Sequence, residues 1–405
     1  MITKFSVRSF KSLESVEVEL GRVNVFIGAN GSGKSNLLEA IGVLGAAADG
    51  KINDQFLLQR GVRPGVPSLY KSSFEKSAGS AARNLSHIYF EASHEQSKYG
   101  VTLNNPLKDP QPAWKYKHEW WDFEGNHLAS RSPTSKDAPN QEQGLAALEA
   151  VKHAPTEPAV VLLKALQNYV IYTPTTAVLR GTVTDGQQRS PIGLSGGRLP
   201  DALHKLILEG FGKSAKDQNP IRPILREARS LIGWATQIGS APASSMPLSP
   251  SVSTTGRVIR FTDRYMSKKR NVLSGYDASE GALYVLFLSV LAAHDEAPTF
   301  CAVDNADHGL NPRLARSLMT KLCGWYLNST TPRQLLMTTH NPLVLDGLTR
   351  DDDRVRLFAV ARTTSGRTAV SRIQITPERL AMARERDYPL SRLWVMGHLG
   401  GLDDV

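Results

Sequence analysis

The stretch that most constrains the fold of this chain is GANGSGKS, residues 28–35. It follows the apolar run RVNVFI and precedes the helical pattern NLLEAIGVL, so it fits G-x-x-x-x-G-K-[ST] in the order strand, loop and helix. In such a loop the glycines let successive backbone N–H groups turn inward around phosphate oxygens, and the lysine adds a positive charge. The motif therefore predicts an α/β fold that binds a nucleotide.

The predicted nucleotide-binding residues belong to this loop and to the first turn of the helix after it. The final hydroxyl of the motif can also bind Mg²⁺, which makes Ser35 a predicted metal ligand. The full set is Asn30, Gly31, Ser32, Gly33, Lys34, Ser35 and Asn36.

Composition is that of a folded chain. Its 405 residues are 41% hydrophobic and 21% charged, enough for a large core or for two to three lobes. The formal net charge of +10 suits nucleic acid or another polyanion, without being specific for either. The two cysteines, Cys301 and Cys323, lie in apolar contexts without metal-ligand spacing, which predicts buried free thiols. An alternating N-terminus without an apolar signal core and a longest apolar run of only ALYVLFLSVLAA predict a cytoplasmic protein without a membrane span.

The pattern of strand-like, helical and loop-forming residues along the chain predicts four segments. Two short strands, a third strand, the glycine-rich loop and a helix come first, and β-like runs separated by loop material follow them. Amphipathic helices and a Ser/Pro-rich tract, SAPASSMPLSPSVSTTG, lead to a final part that alternates strands and helices. The predicted boundaries are 1–48 and 271–405 for the two parts of one core, 49–158 for an inserted antiparallel β lobe, and 159–270 for a helical subdomain.

The residues around the loop carry a family resemblance. FKSLESVEVELGRVNVFIGANGSGKSNLLEAI resembles the N-terminus of ABC-type ATPases of the SMC/RecF kind, through Phe10, Lys11, Asn36, Leu38, Glu39, Ala40 and the loop itself. The resemblance implies an ABC-type P-loop ATPase head that binds ATP and Mg²⁺ and closes as a homodimer. It also implies a signature segment that contacts the nucleotide of a second subunit.

Two stretches compete for the signature role. GLSGGRLP contains LSGG, but Ser195 lies 109 residues before Asp304 (304 − 195), and we interpret it as a turn before a helix. LSGYDASEGALYVLFLSVLAA places Ser279, Glu280 and Gly281 before a helix-length apolar run, 25 residues ahead of Asp304 (304 − 279), which resembles the family spacing. The alternative for Ser279 is a plain helix N-cap.

The remaining predicted site residues lie in FCAVDNADHGLNP and RQLLMTTHNPLVL. An apolar strand ending in Asp304 suits a carboxylate that holds Mg²⁺ beside Ser35, GLNP resembles the D-loop, and His340 resembles the switch histidine. The family usually has Glu after the metal-strand Asp, whereas this chain has Asn305, which cannot take a proton from water. Hydrolysis is slow, or Asp307 or His340 supplies the basicity, or the site binds nucleotide without turnover. The glutamine that contacts Mg²⁺ in relatives is not assigned among Gln55, Gln59 and Gln96.

Within the superfamily the chain most resembles free-standing ATPases of bacterial antiphage systems, related to the ATPase half of OLD nucleases, through THNPLVLDGL and PLSRLWVMGHLGGLDD. Such proteins work with a Toprim-type nuclease, and the 65 residues after His340 (405 − 340) are too few for that domain, which implies a separate effector. The alternative function is a RecF-like, nucleotide-gated DNA clamp.

DNA contact is the least determined prediction. The segment GRVIRFTDRYMSKKRN carries Arg257, Arg260, Arg264, Lys268, Lys269 and Arg270 against a single acidic residue, as in a phosphate-binding surface or a solvated edge strand. WKYKHEWWDF offers Trp114, Trp120 and Trp121 for base stacking or for packing within the β lobe, and packing is the favoured interpretation.

Overall fold

The computed structural model describes residues 1–65, 67–74, 87–104, 113–132, 140–212, 219–250, 252, 256–349, 352–374 and 388–399. The strands are β1 (Lys4–Phe10), β2 (Leu13–Glu19), β3 (Val23–Ile27), β4 (Ile88–His94), β5 (Ser97–Asn104), β6 (Lys115–Phe123), β7 (Asn126–Arg131), β8 (Val170–Tyr172), β9 (Ala235–Pro242), β10 (Arg257–Asp263), β11 (Val272–Ser274), β12 (Phe300–Val303), β13 (Gln334–Thr339), β14 (Val355–Arg362) and β15 (Thr368–Ile373).

The helices are α1 (Lys34–Ala48), α2 (Asp54–Leu58), α3 (Pro67–Tyr70), α4 (Leu145–Glu149), α5 (Pro158–Asn168), α6 (Thr176–Arg180), α7 (Leu199–Phe211), α8 (Ile221–Leu231), α9 (Glu280–Ala293), α10 (Pro312–Leu327) and α11 (Leu390–Val395). None of the helices in these ranges is long and apolar enough to cross a membrane.

A six-stranded sheet in the order β15-β14-β3-β13-β12-β8 forms the centre of the molecule. All neighbours in it pair in parallel except β14 and β15. Strands β3, β12 and β13 are buried along their whole length and mostly apolar, as expected for parallel strands covered on both faces. The predicted α/β class and the alternation of strands and helices after residue 271 are confirmed.

A second, antiparallel sheet has the order β2-β1-β4-β5-β6-β7. The strands predicted between residues 87 and 123 are present, but they extend the hairpin formed by β1 and β2, because β1 pairs with β4 from Lys4 to Arg8. The predicted boundary at residue 48 is therefore wrong: the N-terminal hairpin and the inserted strands are one sheet. Apolar residues on one face of β1 and β4 explain this, since both bury that face against α1.

The predicted helical subdomain, 159–270, also needs correction. Strand β8 lies inside it but is the edge strand of the central sheet, and β9, β10 and β11 form a small antiparallel sheet beside α7 and α8. The Ser/Pro-rich tract connects β9 to β10. A backbone hydrogen bond from Ala243 N to Gly256 O, at 3.0 Å, joins the end of β9 to the start of β10.

Two hydrophobic cores flank the central sheet. On one side α1 lies between the two six-stranded sheets, which buries nearly all of its residues. On the other side α9, whose residues from Gly281 to Ala293 are all buried, packs against α7, α8 and α10. The cysteines Cys301 and Cys323 are buried free thiols, as predicted.

Candidate functional site

The predicted site residues meet at the carboxyl ends of three neighbouring parallel strands. The glycine-rich loop follows β3, His340 follows β13, and Asp304 follows β12. The register pairs Ile27 with Thr339 and Met337 with Val303, so the three strands end side by side. Ligands of open α/β sheets bind at this edge.

The lysine of the loop is folded back onto the loop backbone. The ammonium of Lys34 donates hydrogen bonds to the carbonyl oxygens of Gly28, at 2.8 Å, and Ala29, at 2.7 Å. From the other side, the Thr368 hydroxyl of β15 donates to Ser32 O at 2.8 Å and is hydrogen-bonded to the Ser12 hydroxyl at 2.7 Å. The loop is thus shaped by its own lysine and by a distant strand, and it precedes the open N-terminus of α1, whose first turn carries no acidic residue.

Ser35 and Asp304 form a pair suited to a divalent cation. Ser35 Oγ donates to Asp304 Oδ2 at 2.8 Å, and the Thr338 hydroxyl donates to Asp304 Oδ1. One hydroxyl and one carboxylate beside a phosphate-binding loop are the oxygen ligands that Mg²⁺ takes in nucleotide hydrolases, with water and phosphate completing its shell. The residues present therefore fit the predicted metal.

Asn305 occupies a left-handed backbone conformation. Its φ is +54°, and its backbone N–H donates to Thr338 Oγ1 at 2.8 Å. Asn is among the few non-glycine residues that adopt this conformation readily, whereas Glu adopts it at greater cost. The local backbone thus supplies a physical reason for Asn at this position.

A hydrogen bond to the loop backbone selects one tautomer of neutral His340. Its Nδ1 lies 3.2 Å from the carbonyl oxygen of Gly28, and because a carbonyl only accepts, Nδ1 carries the proton and Nε2 remains an acceptor. Burial and the positive charge of Lys34 lower the pKa of His340, so the imidazole is neutral near pH 7.

Asp307 is a second carboxylate at the same edge. Its Oδ1 is shielded from solvent yet has no hydrogen-bond partner among the described residues. Burial lowers the pKa of Lys34 and of His340, and the negative charge of Asp307 opposes this lowering at both groups. An unpaired, desolvated carboxylate oxygen is costly unless it has a further partner.

The segment Ser279–Gly281 forms the start of α9. Ser279 is exposed at the N-cap position, but its side chain makes no capping hydrogen bond. The plain N-cap interpretation therefore fails for its hydroxyl, which is left to contact something outside the helix. Gly281 packs against Leu314, where an added Cβ would lie 2.9 Å from Leu314 Cδ2.

Glu280 joins this helix to the D-loop segment. Its carboxylate accepts a hydrogen bond from Thr176 and lies 3.2 Å from His308 Nδ1. Gly309 has φ +70°, and a Cβ there would lie 2.4 Å from Glu280 Cγ, so only glycine fits. The beginning of α9 and the turn after β12 are therefore one packed unit.

LSGG, residues 194–197, is a turn. Asp185 Oδ2 accepts the backbone N–H groups of Ser195 and Gly197, both at 3.0 Å, and the turn packs beside the end of β8 through Thr173 N and Thr175 N. Its backbone groups are thus engaged within the chain.

A cavity of about 530 Å³ adjoins the glycine-rich loop. Its wall includes Lys11 and Arg63, which both pair with the buried carboxylate of Glu39, at 2.5 Å each. Asn36 Nδ2 donates to Ser12 Oγ at 2.8 Å, and Tyr70 completes this side of the wall. The cavity is cationic at its rim and aromatic at its base, which suits a nucleoside next to bound phosphates.

The predicted basic residues do not form one surface. Residues two apart share a face of a strand, so Arg257 and Arg260 lie on opposite faces of β10. Arg257 donates to Ser240 Oγ at 2.9 Å, whereas Arg260 is exposed. The other four, Arg264, Lys268, Lys269 and Arg270, lie in the exposed turn before β11.

The tryptophans pack within the antiparallel sheet and its neighbours, as the favoured interpretation predicts. Trp114 and Trp121 are buried, and Trp121 Nε1 donates to Ala159 O at 3.2 Å. Only Trp120 is partly exposed, lying over Gly100 with its Nε1 on Glu91 at 3.1 Å.

Binding of ATP is expected to take up a proton near Lys34. Burial lowers the pKa of Lys34 to about 8, opposed by the charges of Asp304 and Asp307. Phosphate favours the charged amine, so ATP affinity should be constant below this pKa and fall by up to about tenfold per pH unit above it. Isothermal titration calorimetry in two buffers of different ionisation heat measures the uptake. Lys34→Arg, which stays charged, should give a flat profile, and a flat wild-type profile would contradict the prediction.

Sequence reasoning missed three contributors: Thr338, which holds Asp304 and the Asn305 backbone; Thr368, which anchors the loop; and Arg63, which pairs with Glu39. The pair of threonines in MTTH was a local signal for the first. The other two come from distant segments and carry no local signal.

Comparisons with known proteins agree with this geometry. Residues 1–98 match the family described as "AAA ATPase domain", and residues 185–346 match that described as "AAA domain, putative AbiEii toxin, Type IV TA system". The structure is similar to an SMC head bound to the C-winged helix domain of ScpA, with 14% identity and a TM-score of 0.52, over 94% of this chain and 99% of that one. It is also similar to an Smc head with an extended coiled coil bound to the C-terminal domain of ScpA derived from Pyrococcus furiosus, with 12% identity and a TM-score of 0.52, over 95% and 99% of the two chains.

Three adjacent parallel strands lead into the glycine-rich loop, Asp304 and His340, and a second antiparallel sheet covers the loop helix, which is the fold of an ABC-type P-loop ATPase. Within that class the fold is similar to that of SMC heads, and two parts of the chain match AAA ATPase families.

Proposed function

We propose that this ATPase binds ATP with Mg²⁺, dimerises around the nucleotide, hydrolyses it slowly and thereby controls a separate effector. The single observation that carries the proposal is the exposed hydroxyl of Ser279. Ser279 lies at the N-cap of the buried helix α9, but its hydroxyl accepts no hydrogen bond from the amides of that helix. A helix N-terminus with a free hydroxyl is suited to a phosphate. The nucleotide held by the loop of a second copy supplies that phosphate in a closed dimer.

In the proposed site the nucleoside enters the cavity beside Asn36 and Tyr70, and the phosphates displace the ammonium of Lys34 from the loop carbonyls. Ser35 and Asp304 hold Mg²⁺, which supplies charge neutralisation at the phosphates. His340, neutral and with Nε2 as an acceptor, orients the attacking water.

Asp307 is the proposed base. Water attacks the γ-phosphorus, the bond from phosphorus to the bridging oxygen breaks, ADP leaves with the electron pair, and the water proton passes to the Asp307 carboxylate. Its desolvated oxygen without a described partner and its charge interaction with His340 support this role. Asn305 orients water by hydrogen bonding alone, which makes the step slow.

The effector is proposed to be a nuclease in bacterial antiphage defence. Support comes from the resemblance of the C-terminal segments to antiphage ATPases and from the description of the matched family as a putative toxin of a type IV toxin–antitoxin system. The alternative is a RecF-like DNA clamp. The exposed turn with Arg264, Lys268, Lys269 and Arg270 favours it, because these cations lie just before Ser279.

Two measurements on the purified protein test the proposal. ATP with Mg²⁺ should convert monomer to dimer in light scattering. Asn305→Glu should hydrolyse ATP at least about tenfold faster than the wild type, because a general base contributes about 10²- to 10⁴-fold to a rate. Asn305→Gly, which fits the left-handed backbone without a carboxamide, controls for backbone strain and should not gain activity. Wild-type turnover equal to that of Asn305→Glu, or a mass independent of ATP, would contradict the slow dimer.

A further inference from the structure

A cavity of about 290 Å³ opens between α7, α8 and the small sheet, away from the nucleotide loop. Its floor is apolar and draws on four elements: Leu203 and Ile207 of α7, Leu225 of α8, Ile238 of β9 and Leu286 of α9. The apolar surface continues at the end of α7, where Phe211, which lines the cavity, is 47% exposed and Leu208 is 55% exposed. An exposed apolar surface of this kind marks a binding site more often than a chance patch.

Three arginines surround this floor. Arg226, Arg229 and Arg260 line the cavity from α8 and β10, and none of them forms an ion pair with a described residue. Arg229 donates only to a backbone carbonyl, that of Thr236, at 3.4 Å. The rim is therefore positive and uncompensated.

The neighbouring carboxylates are engaged elsewhere. Glu227, on α8, binds Lys321 Nζ at 2.8 Å and Trp325 Nε1 at 2.6 Å, on the far side of the helix from the arginines. Asp263, at the end of β10, accepts the backbone N–H groups of Tyr265 and Met266 at 2.7 and 3.1 Å. Neutralisation of the rim requires a group from outside the described chain.

We propose that this cavity is the docking site for an acidic, amphipathic helical segment of a partner protein. One or two large apolar side chains of the segment enter the cavity, and its carboxylates pair with the three arginines. The inference extends the proposed function, because it identifies the surface through which an effector is held, but the docking itself does not depend on ATP.

Nucleic acid fits this surface less well. A phosphate backbone gains from a row of exposed cations and has no apolar group to fill a recessed, aliphatic floor. The exposed turn with Lys268 and Lys269 is better suited than the cavity to bind a phosphate backbone. A cavity with an apolar floor and a rim of arginines therefore favours a protein segment over DNA or RNA.

Helix α9 connects the cavity with the Ser279 segment that is proposed to contact ATP. Leu286, in the floor of the cavity, belongs to α9, whose first residue, Glu280, follows Ser279. A docked segment therefore packs directly on the helix that is proposed to contact the γ-phosphate of a second subunit. Occupation of the cavity and closure of the dimer act on the same rigid element.

The test uses two fluorescein-labelled 16-residue peptides of defined sequence, (ELLE)₄ and (KLLK)₄, titrated with the full chain by fluorescence anisotropy. The acidic peptide should bind at least about tenfold more tightly than the basic one. The double variant Arg226→Glu/Arg229→Glu should lose at least about tenfold in affinity for the acidic peptide and gain affinity for the basic one. The matched control Arg264→Glu/Arg270→Glu makes the same charge change at two exposed arginines outside the cavity and should stay within about twofold of wild type.

Several outcomes would overturn the proposal. These are equal binding of the two peptides, an unchanged affinity of the double variant, no binding below about 100 µM, and displacement of the acidic peptide by a single-stranded 20-mer DNA at the arginine rim. The titration is done without nucleotide, and ATP binding is measured separately with a fluorescent ATP analogue. Loss of ATP binding with retained peptide binding would refute the proposed function alone, and the converse would refute the docking site alone.

Discussion

Asp307→Asn is expected to lower the ATP turnover of this protein by about 10²- to 10³-fold while leaving its affinity for ATP nearly unchanged. The substitution keeps the size and the hydrogen-bonding capacity of the side chain but removes its ability to accept a proton. Asn305 has no titratable group, and the Asp304 carboxylate accepts hydrogen bonds from Ser35 and Thr338. Asp307 is therefore the described carboxylate at this edge that remains to accept a proton. Turnover is measured by phosphate release under saturating ATP.

The control is Asp295→Asn, which removes an exposed carboxylate after α9 and should leave turnover within about twofold. Asp307→Glu should keep part of the activity and the pH dependence of the rate, whereas a merely structural role would make both variants equally poor. If Asp307→Asn turns over ATP as fast as wild type while His340→Gln does not, the histidine is the base. A wild type that binds ATP without any turnover would also refute the role of Asp307.

Gly28→Ala should destabilise the fold by about 3 kcal/mol and weaken ATP binding at least about tenfold. A Cβ at this position would lie 2.0 Å from the carbonyl oxygen of Val360 in β14, and 3.0 Å from Ser32 Oγ. The backbone of the loop must then move away from β14. The same carbonyl that Lys34 and His340 bind moves with it.

The matched control is Gly324→Ala in the interior of α10, where nothing lies within 4 Å of an added Cβ. Since alanine favours the helix and restricts the unfolded chain, this variant should gain about 1 kcal/mol. Urea unfolding gives both stabilities, and titration with a fluorescent ATP analogue gives the affinity. A Gly28→Ala protein as stable as wild type would show that the close approach to β14 is not a constraint.

Sequence motifs predicted where the loop, Asp304 and His340 lie, because each of them follows a buried strand. Parallel strands bring their carboxyl ends together, so correct strand assignments placed Gly28, Asp304 and His340 at one edge. The same reasoning chose Ser279 over Ser195, and the uncapped hydroxyl of the first and the internally bonded turn of the second agree with that choice.

The domain boundaries were harder, since strand partners are decided by packing between distant segments. Nothing in the sequence of β1 shows that its partner is β4 rather than a strand of the central sheet, because both sheets bury apolar faces against α1. Side chains that act over long separations were missed for the same reason: Thr368 reaches Ser32 across 336 positions. The left-handed backbone of Asn305 is held by a hydrogen bond from its N–H to the hydroxyl of Thr338 in β13, and it has no local signature.

The position of β3 in the central sheet bears on how the protein is made. Both neighbours of β3, β13 and β14, come more than 300 positions later, and its register with them starts at Leu335 and Val355. By contrast, β1 and β2 pair with each other and with β4 early in the chain. During synthesis the antiparallel sheet can form first, while the loop strand waits for its flanking strands to emerge. The ATP-binding loop can therefore be held in place only after β13 and β14 have left the ribosome, which separates synthesis of the loop from its activity.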